Sequence, residues 1–410
     1  MKFKSLRLRN IGPFRDISLD FLNEGRETHG TPTVIITGDN GSGKSIIIDA
    51  MRAVLKGVHP IERAIIADIN DFLIELRYED SKGKEHTLHA DSLMAGDREK
   101  LFVSDSLGKY FSGLRDKTRE AADWVIDYWS PNAAIDKYEI SAMTALKTDI
   151  CMGDALEASF KNAELVNIIT NIDYLRGSQE ERERQMAEKL YALMTGIMND
   201  CIGEENGTFK YVSRKDLMPM FEVHGRTVAM DKLSLGNQLL LSRFIKTLYR
   251  MYGVWLQNGW DIDRINQVSG VLLVDEAETH LHPRWQKRVV GMVRRYFPNM
   301  QIILTTHSPF VVSSVESPKV FVCKSDEEGV IVEDATDDYS NLPVDEILVT
   351  PVFGAGPFNE KITRLMQERK RAIRSHDEAE QERTEKELLR LNSAYFTFFQ
   401  LGDKTVFYDK

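Results

Sequence analysis

The sequence predicts an α/β protein: a largely parallel sheet reached through N-terminal β hairpins, with a helical insertion and a C-terminal helical extension. Three observations carry that prediction. The apolar, β-branched stretch Thr33-Val34-Ile35-Ile36-Thr37 runs through a glycine-rich loop into an apolar segment at 46–55, a strand–loop–helix unit. Gly270–Val274 and residues 301–306 are continuous apolar runs, as strands buried on both faces are, and 283–297 between them reads as helix. Strand, helix, strand in that order implies a right-handed parallel crossover. Residues from about 115 to 200 look mainly helical.

The elements follow in order. Phe3-Lys4-Ser5-Leu6-Arg7-Leu8-Arg9 alternates as a half-exposed strand, Asn10-Ile11-Gly12-Pro13-Phe14 turns, and 17–21 alternates again, so a hairpin leads into the strand at 33–37. Residues 72–78 and 85–89 flank Asp80-Ser81-Lys82-Gly83 as a second hairpin. Ser178 with Glu181 makes a capping box, and behind it Met186, Leu190, Leu193, Met194 and Ile197 form one apolar helix face. The run 180–184 is that helix's solvated side. Short strand pieces cover 211–230, and a helix is expected from 236 to 255. Residues 320–323 and 330–332 bracket an acidic turn. From Phe358 the chain is charged and helical, with a break at Ser375-His376-Asp377, where Ser375 and Glu378 make a second capping box in a helical hairpin. The organisation expected is an N-terminal lobe 1–114, a helical insertion 115–208, a second lobe 209–335 and an extension 336–410.

The loop after the first core strand carries the chemistry. Gly38-Asp39-Asn40-Gly41-Ser42-Gly43-Lys44-Ser45 fits G-x-x-x-x-G-K-[ST] at every fixed position. Its glycines free backbone N–H groups, Asn40 to Gly43 among them, to wrap a polyphosphate whose charge rests on a helix N-terminus. Lys44 is placed to reach the β- and γ-phosphates, and Ser45 to ligate Mg²⁺. The strand 270–274 ends in Asp275-Glu276. Beside a phosphate loop, such a pair suits a metal-holding Asp275 and a Glu276 that deprotonates the attacking water; alone, it would equally suit a helix cap.

Two further runs give the loop and the acidic pair a family context. Leu233-Ser234-Leu235-Gly236-Asn237-Gln238 resembles the L-S-x-G-x-Q signature of ABC-type ATPases, and Thr305-Thr306-His307-Ser308-Pro309 resembles their switch-histidine segment. Phosphate loop, signature, Asp-Glu and switch histidine stand in the order of that class. Asp275-Glu276-Ala277-Glu278-Thr279-His280-Leu281-His282-Pro283 is similar to the D-E-P-E-x-x-L-H-P run of OLD-like, SMC-related AAA ATPases, which also open with N-[FI]-x-x-F, matched at 10–14. The resemblance covers roughly 1–335 in architecture. It implies an ABC-type P-loop head that binds ATP and Mg²⁺, with His307 as a catalytic switch. It also implies a homodimer that sandwiches ATP between Lys44 of one subunit and Ser234, Gly236 and Gln238 of the other, with larger rings of dimers open. Many members, the Septu and PARIS ATPases included, serve prokaryotic anti-phage systems with a separate nuclease. That implies a nuclease effector as partner and a phage component or nucleic acid as trigger. Two departures stand out: no Gln occurs from 45 to 178, where the family's Q-loop glutamine belongs, so either another polar residue near Asp68 or Asn70 replaces it or that metal contact is absent; and Ala277 replaces the usual proline.

Other readings compete. A RecF-like DNA-repair ATPase acting directly on DNA is one alternative; a self-contained OLD-like nuclease is another. The acids Glu333, Asp334, Asp337 and Asp338 resemble nuclease carboxylates but are expected in a turn rather than at strand ends, and the roughly 100 residues after His307 are a tight fit for a nuclease domain. Glu278, His280 and His282 lack the third cluster that a tetrahedral metal site needs. A net charge of −10 argues against a surface that coats nucleic acid. No apolar run approaches a membrane span, no signal-peptide core opens the chain, and three scattered cysteines form no disulfide framework, so a reducing cytoplasm is expected.

Overall fold

Five parallel strands and one antiparallel edge strand make the sheet that positions the site. A computed structural model describes residues 1–22, 32–57, 71–91, 107–113, 120–132, 136–158, 161–203, 206–326, 329–350, 352–354 and 358–397. The N-terminal hairpin is β1 (Lys2–Ile11) and β2 (Phe14–Asp20), followed by the core strand β3 (Thr33–Gly38). β4 (Leu73–Glu79) and β5 (Glu85–Asp91) complete a four-stranded antiparallel sheet in the order β2-β1-β4-β5. The core sheet adds β6 (Val125–Trp129), β10 (Gly270–Val274), β11 (Met300–Thr305), β12 (Lys319–Asp326) and β13 (Gly329–Asp334), in the order β13-β12-β3-β11-β10-β6. A small meander, β7 (Thr208–Ser213), β8 (Met218–Val223) and β9 (Arg226–Ala229), precedes the longest helix.

The two larger sheets are joined by a side chain. Gln301 on β11 is fully buried and pairs with the Phe3 backbone as a strand would, accepting from the Phe3 amide at 2.7 Å and donating to its carbonyl at 3.0 Å. The turn between β1 and β2 reaches the phosphate loop: a Cβ at Gly43 would lie 2.8 Å from Pro13 and 2.9 Å from Phe14. The Asn10–Phe14 motif therefore works as packing under the loop.

The helices are α1 (Lys44–Lys56), α2 (Asn162–Leu175), α3 (Glu181–Ile202) and α4 (Leu235–Asn258), then α5 (Pro283–Gln286), α6 (Val289–Tyr296) and the single turn α7 (Pro309–Val312). The segment 283–297 is thus two short helices rather than one. The unit Met1–Val344 contains all of these. The unit Asp345–Lys410 holds the expected helical hairpin, α8 (Glu360–Ser375) and α9 (Glu378–Leu391). Leu365, Leu388 and Phe396 form its core, and Arg369 pairs with Glu385 at 2.7 Å across it.

The structure corrects the mainly helical reading of 115–200. Helices fill 162–175 and 181–202, but Val125–Trp129 is a fully buried strand pairing in parallel with β10. Asp127 at its centre breaks the apolar run that would have announced it. That carboxylate is 1% exposed and meets Arg250 of α4 at 2.8 Å, while Thr247 Oγ1 donates to it at 2.5 Å. Both capping boxes are shifted as well. The cap of α3 is Glu180, whose carboxylate accepts from the Arg182 and Glu183 amides, while Ser178 Oγ accepts from the Glu180 amide. The cap of α9 is Asp377, and Ser375 instead closes α8 by donating to the Arg371 carbonyl. All three cysteines are buried and outside any disulfide. No helix among the described residues is long and apolar enough to cross a membrane.

Losing Asp127 would leave the buried Arg250 guanidinium with Asp154 alone and Thr247 Oγ1 without its carboxylate acceptor. Asp127→Ala should therefore destabilise the protein by about 3–5 kcal/mol, read from denaturant melts; an unchanged midpoint would show that the pair does not hold α4 to β6.

Candidate nucleotide site

All the expected site residues except the signature lie where strands of the core sheet end, the edge at which open α/β sheets bind ligands. β3 runs into the phosphate loop, β10 into Asp275 and β11 into His307. Gly38, Gly41 and Gly43 adopt φ of 140°, 77° and 85°, which side chains resist. A Cβ at Gly38 would fall 2.1 Å from the Cys323 carbonyl oxygen, whereas one at Gly41 would meet nothing within 4 Å. The loop's base is packed and its crest, with Asn40 and Gly41, is open. Ser42 is buried beneath it. Lys44, at the start of α1, folds back on the loop and donates to the carbonyls of Gly38 at 3.0 Å and Asp39 at 2.7 Å. Burial lowers its pKa.

Asp275 is wholly buried and accepts two hydroxyls on one oxygen, from Ser45 at 2.8 Å and Thr305 at 2.7 Å. The same Thr305 oxygen accepts from the Glu276 amide at 2.8 Å. Glu276 sits at φ 49°, a left-handed conformation that costs about 1–3 kcal/mol in a non-glycine residue and persists only when held. Thr305 holds it from both ends, since its carbonyl also accepts from the Ala277 amide at 3.0 Å. The Glu276 carboxylate accepts from Thr279 Oγ1 at 3.0 Å. Thr305, which carried no role in the sequence reading, thus connects the metal-type and base-type carboxylates; the repeated threonine before His307 was its only signal.

His307 is half-buried beside these groups. Burial, then the Lys44 charge, holds its imidazole below the ordinary value, and Glu278 and Glu276 pull it back. Glu278 accepts from Thr306 Oγ1 at 2.6 Å and from the His307 amide at 2.5 Å. The signature loop opens α4 rather than following a strand of the core sheet. Ser234 caps α4, accepting from the Asn237 amide, and is itself exposed, as is Leu235. A Cβ at Gly236 would lie 2.5 Å from the His280 carbonyl oxygen. Gln238 donates to the carbonyls of Leu233 at 2.9 Å and Asp231 at 3.1 Å and accepts from Tyr138, so its amide shapes the signature loop from within.

Asp68 and Asn70, the candidate substitutes for the Q-loop glutamine, lie outside the described residues. The structure brings another polar stretch to that edge. β6 neighbours β10, the Asp275 amide donates to the Trp129 carbonyl at 3.0 Å, and Ser130-Pro131-Asn132 follows, with Asn132 exposed. The downstream acids are also corrected: Glu333 and Asp334 end strand β13 rather than lying in a turn. They pair with Lys324 and with Lys319, the latter at 2.7 Å, and Asp334 also accepts from Thr336. His282 caps α5 by accepting from the Arg284 amide. Among the described residues, no group of three or more His, Cys, Asp or Glu could hold a metal ion by itself.

Glycines at the loop, a buried lysine and a serine–aspartate contact through hard oxygens fit a nucleoside triphosphate and Mg²⁺. Fold and site together resemble a P-loop ATPase head, and two AAA family models match parts of the chain. A family model described as "AAA domain" matches residues 5–190, and one described as "AAA domain, putative AbiEii toxin, Type IV TA system" matches 179–313. Septu protein PtuA of Bacillus mycoides (strain KBAB4) is 30% identical over 358 residues, 86% of this chain and 44% of that one. The Retron Ec83 probable ATPase of Escherichia coli is 28% identical over 114 residues, 28% of this chain and 20% of that one. The chain spans less than half the length of the curated relatives it matches. Among solved structures, the SMC head domain from Thermotoga maritima aligns at TM-score 0.42 and 14% identity, covering 82% of this chain and 99% of that one. A structure of the recombination mediator protein RecF-ATPrS in the RecFOR pathway aligns at 0.41 and 14%, covering 80% and 97%.

Lys44→Ala removes the one side-chain charge that the loop encloses. Titration with a fluorescent ATP analogue should show binding lost; wild-type affinity in the variant would remove the loop from the site.

Proposed function

We propose that the chain binds ATP with Mg²⁺ and hydrolyses it in sites shared by two copies of itself. In this reading the cycle controls a separate nuclease in a prokaryotic anti-phage defence system. The observation that carries the hydrolytic part is the Ser45–Asp275 contact at 2.8 Å, with Glu276 fixed next to it by Thr305. Bound Mg²⁺–ATP supplies the γ-phosphoryl group and the charge that shields it. Ser45 and Asp275 would hold the metal. Lys44 exchanges loop carbonyls for phosphate oxygens. Glu276 releases Thr279, orients the attacking water and takes its proton. His307, kept neutral by its surroundings, is free to hydrogen-bond at the same place.

The exposed Ser234 supports a shared site. Its hydroxyl is turned to its own helix start and the loop around it is braced internally by Gln238, which suits a surface that closes on a nucleotide held by a second copy. Larger rings of such dimers fit the same contact. The defence role rests on likeness to the Septu and retron proteins, and the trigger, a phage component or nucleic acid, follows from the same likeness. The pairing of Glu333 and Asp334 with lysines and Thr336 supports a nuclease in a partner rather than at these acids. The absence of a membrane-length helix among the described residues is in keeping with action in the cytoplasm.

Glu276→Gln should retain ATP binding and slow steady-state hydrolysis by ~10²–10⁴, the usual worth of a general base. Unchanged turnover at saturating Mg²⁺–ATP would take the base role from Glu276.

Ser234→Arg should bind ATP and fail to hydrolyse it. Mixed with Lys44→Ala protein, it should regain part of the activity, because one composite site then pairs an intact loop with an intact signature. Confirmed heterodimers without that rescue would argue against shared sites.

A further inference from the structure

Glu278 has no part in the chemistry above, yet it connects the two loops that perform it. One of its carboxylate oxygens accepts from Thr306 Oγ1 at 2.6 Å and the other from the His307 amide at 2.5 Å. Both oxygens thus go to consecutive residues of the loop after β11. A second tie runs parallel to the first: Ser308 Oγ donates to Gln286 Oε1 at 2.6 Å, and Gln286 Nε2 donates to the Leu281 carbonyl at 2.7 Å. The segment from Glu276 to Leu281 is therefore fastened to Thr306-His307-Ser308 by side chains at two points.

The choice of a carboxylate here is informative. Asp275, Glu276 and Glu278 crowd three acids into four residues, a repulsion that a purely structural link could avoid with a neutral amide. Charge-assisted hydrogen bonds are roughly twice as strong as neutral ones, so Glu278 gains rigidity at the His307 amide that an amide side chain would not match. The backbone at His307 sets where its imidazole originates, and a shift of about 1 Å at a reacting centre can cost 10²-fold in rate. Glu278 also offsets part of the effect of Lys44 on that imidazole.

We propose that Glu278 is a positioning residue for hydrolysis: by gripping Thr306 and the His307 amide together, it sets the switch histidine for the reaction without touching the nucleotide. This rests on the ATPase reading above.

The test combines Glu278→Ala, Glu278→Gln, Thr306→Val and His307→Ala with nucleotide titration, steady-state kinetics and melting. Glu278→Ala should keep ATP affinity and KM and lower kcat by about 10–100-fold, the pattern of an interaction made for the transition state alone. Glu278→Gln should recover only part of the loss, since its oxygen still accepts from the His307 amide and its NH₂ can donate to the Thr306 hydroxyl, but neither bond is charge-assisted. Thr306→Val should fall between. The decisive readout is the double variant Glu278→Ala/His307→Ala, which should be no slower than His307→Ala alone, because residues acting through one another are non-additive. Losses that add, or wild-type kcat in Glu278→Ala, would overturn the proposal. If Glu278→Ala fails to fold, Glu278→Gln and Thr306→Val carry the same comparison with His307→Ala. A wild-type protein that binds ATP without turnover would overturn the ATPase reading itself, a result distinct from an active wild type with an indifferent Glu278.

Discussion

A wholly buried carboxylate has to be satisfied, and the donors that satisfy Asp275 organise the site. An unpaired charge removed from water is prohibitively costly, so its neighbours must supply hydrogens. Here they come from Ser45, at the start of α1, and Thr305, at the end of β11. Three segments remote in sequence are thereby drawn to one oxygen atom. Thr305 then passes the constraint on, because the hydroxyl that donates to Asp275 also receives the Glu276 amide. The strained backbone of Glu276 follows from that grip. Thr305 thereby holds the amide of a left-handed glutamate next to a buried aspartate.

The signature is tied to the same sheet by a different kind of force. One face of α4 presents Arg243, Lys246, Thr247 and Arg250 to β6 and the segment after it. Arg250 pairs with Asp127 at 2.8 Å and Asp154 at 3.0 Å, Lys246 pairs with Asp154, and Arg243 donates to the Ser130 carbonyl at 2.7 Å. Trp129 closes the set by donating to Thr247 Oγ1 at 3.0 Å. Such a buried network resists piecemeal change, since breaking one member strands the rest. Ser234, at the head of α4, is therefore carried by the sheet edge that ends at Ser130 and Asn132.

The parts of this fold that were legible in the sequence are those where local pattern and burial agree. β3, β10 and β11 carry unbroken apolar stretches, 34–36, 271–274 and 302–304, and the phosphate loop announces itself through glycines whose positive φ no other residue would accept cheaply. β6 was hidden because its central residue is charged, and the reason a charge is tolerated, Arg250, lies 123 positions further on. The helix caps failed on a smaller scale: Ser178 and Ser375 were plausible, but Glu180 and Asp377 stand closer to the first turn and offer carboxylates to its free amides. Long-range partners are the common cause. Resemblance supplied the signature and the switch histidine, whereas the roles of Thr305, Glu278 and Gln286 could be seen only once distant loops were side by side.

Lys44 shows how the loop can be ready for an anion before one arrives. A buried ammonium needs acceptors, and the loop turns the Gly38 and Asp39 carbonyls inward to provide them. Those bonds tie the start of the loop to the ammonium at its other end. The open space at Gly41 and the packed base at Gly38 and Gly43 complete the arrangement, leaving freedom only on the side from which a phosphate would come. The same charge lowers the His307 imidazole, so the loop and the switch histidine already feel each other electrostatically. The site is therefore coupled through Lys44 as well as through Asp275. A change at the loop reaches the end of β11 by two routes, one of hydrogen bonds and one of charge.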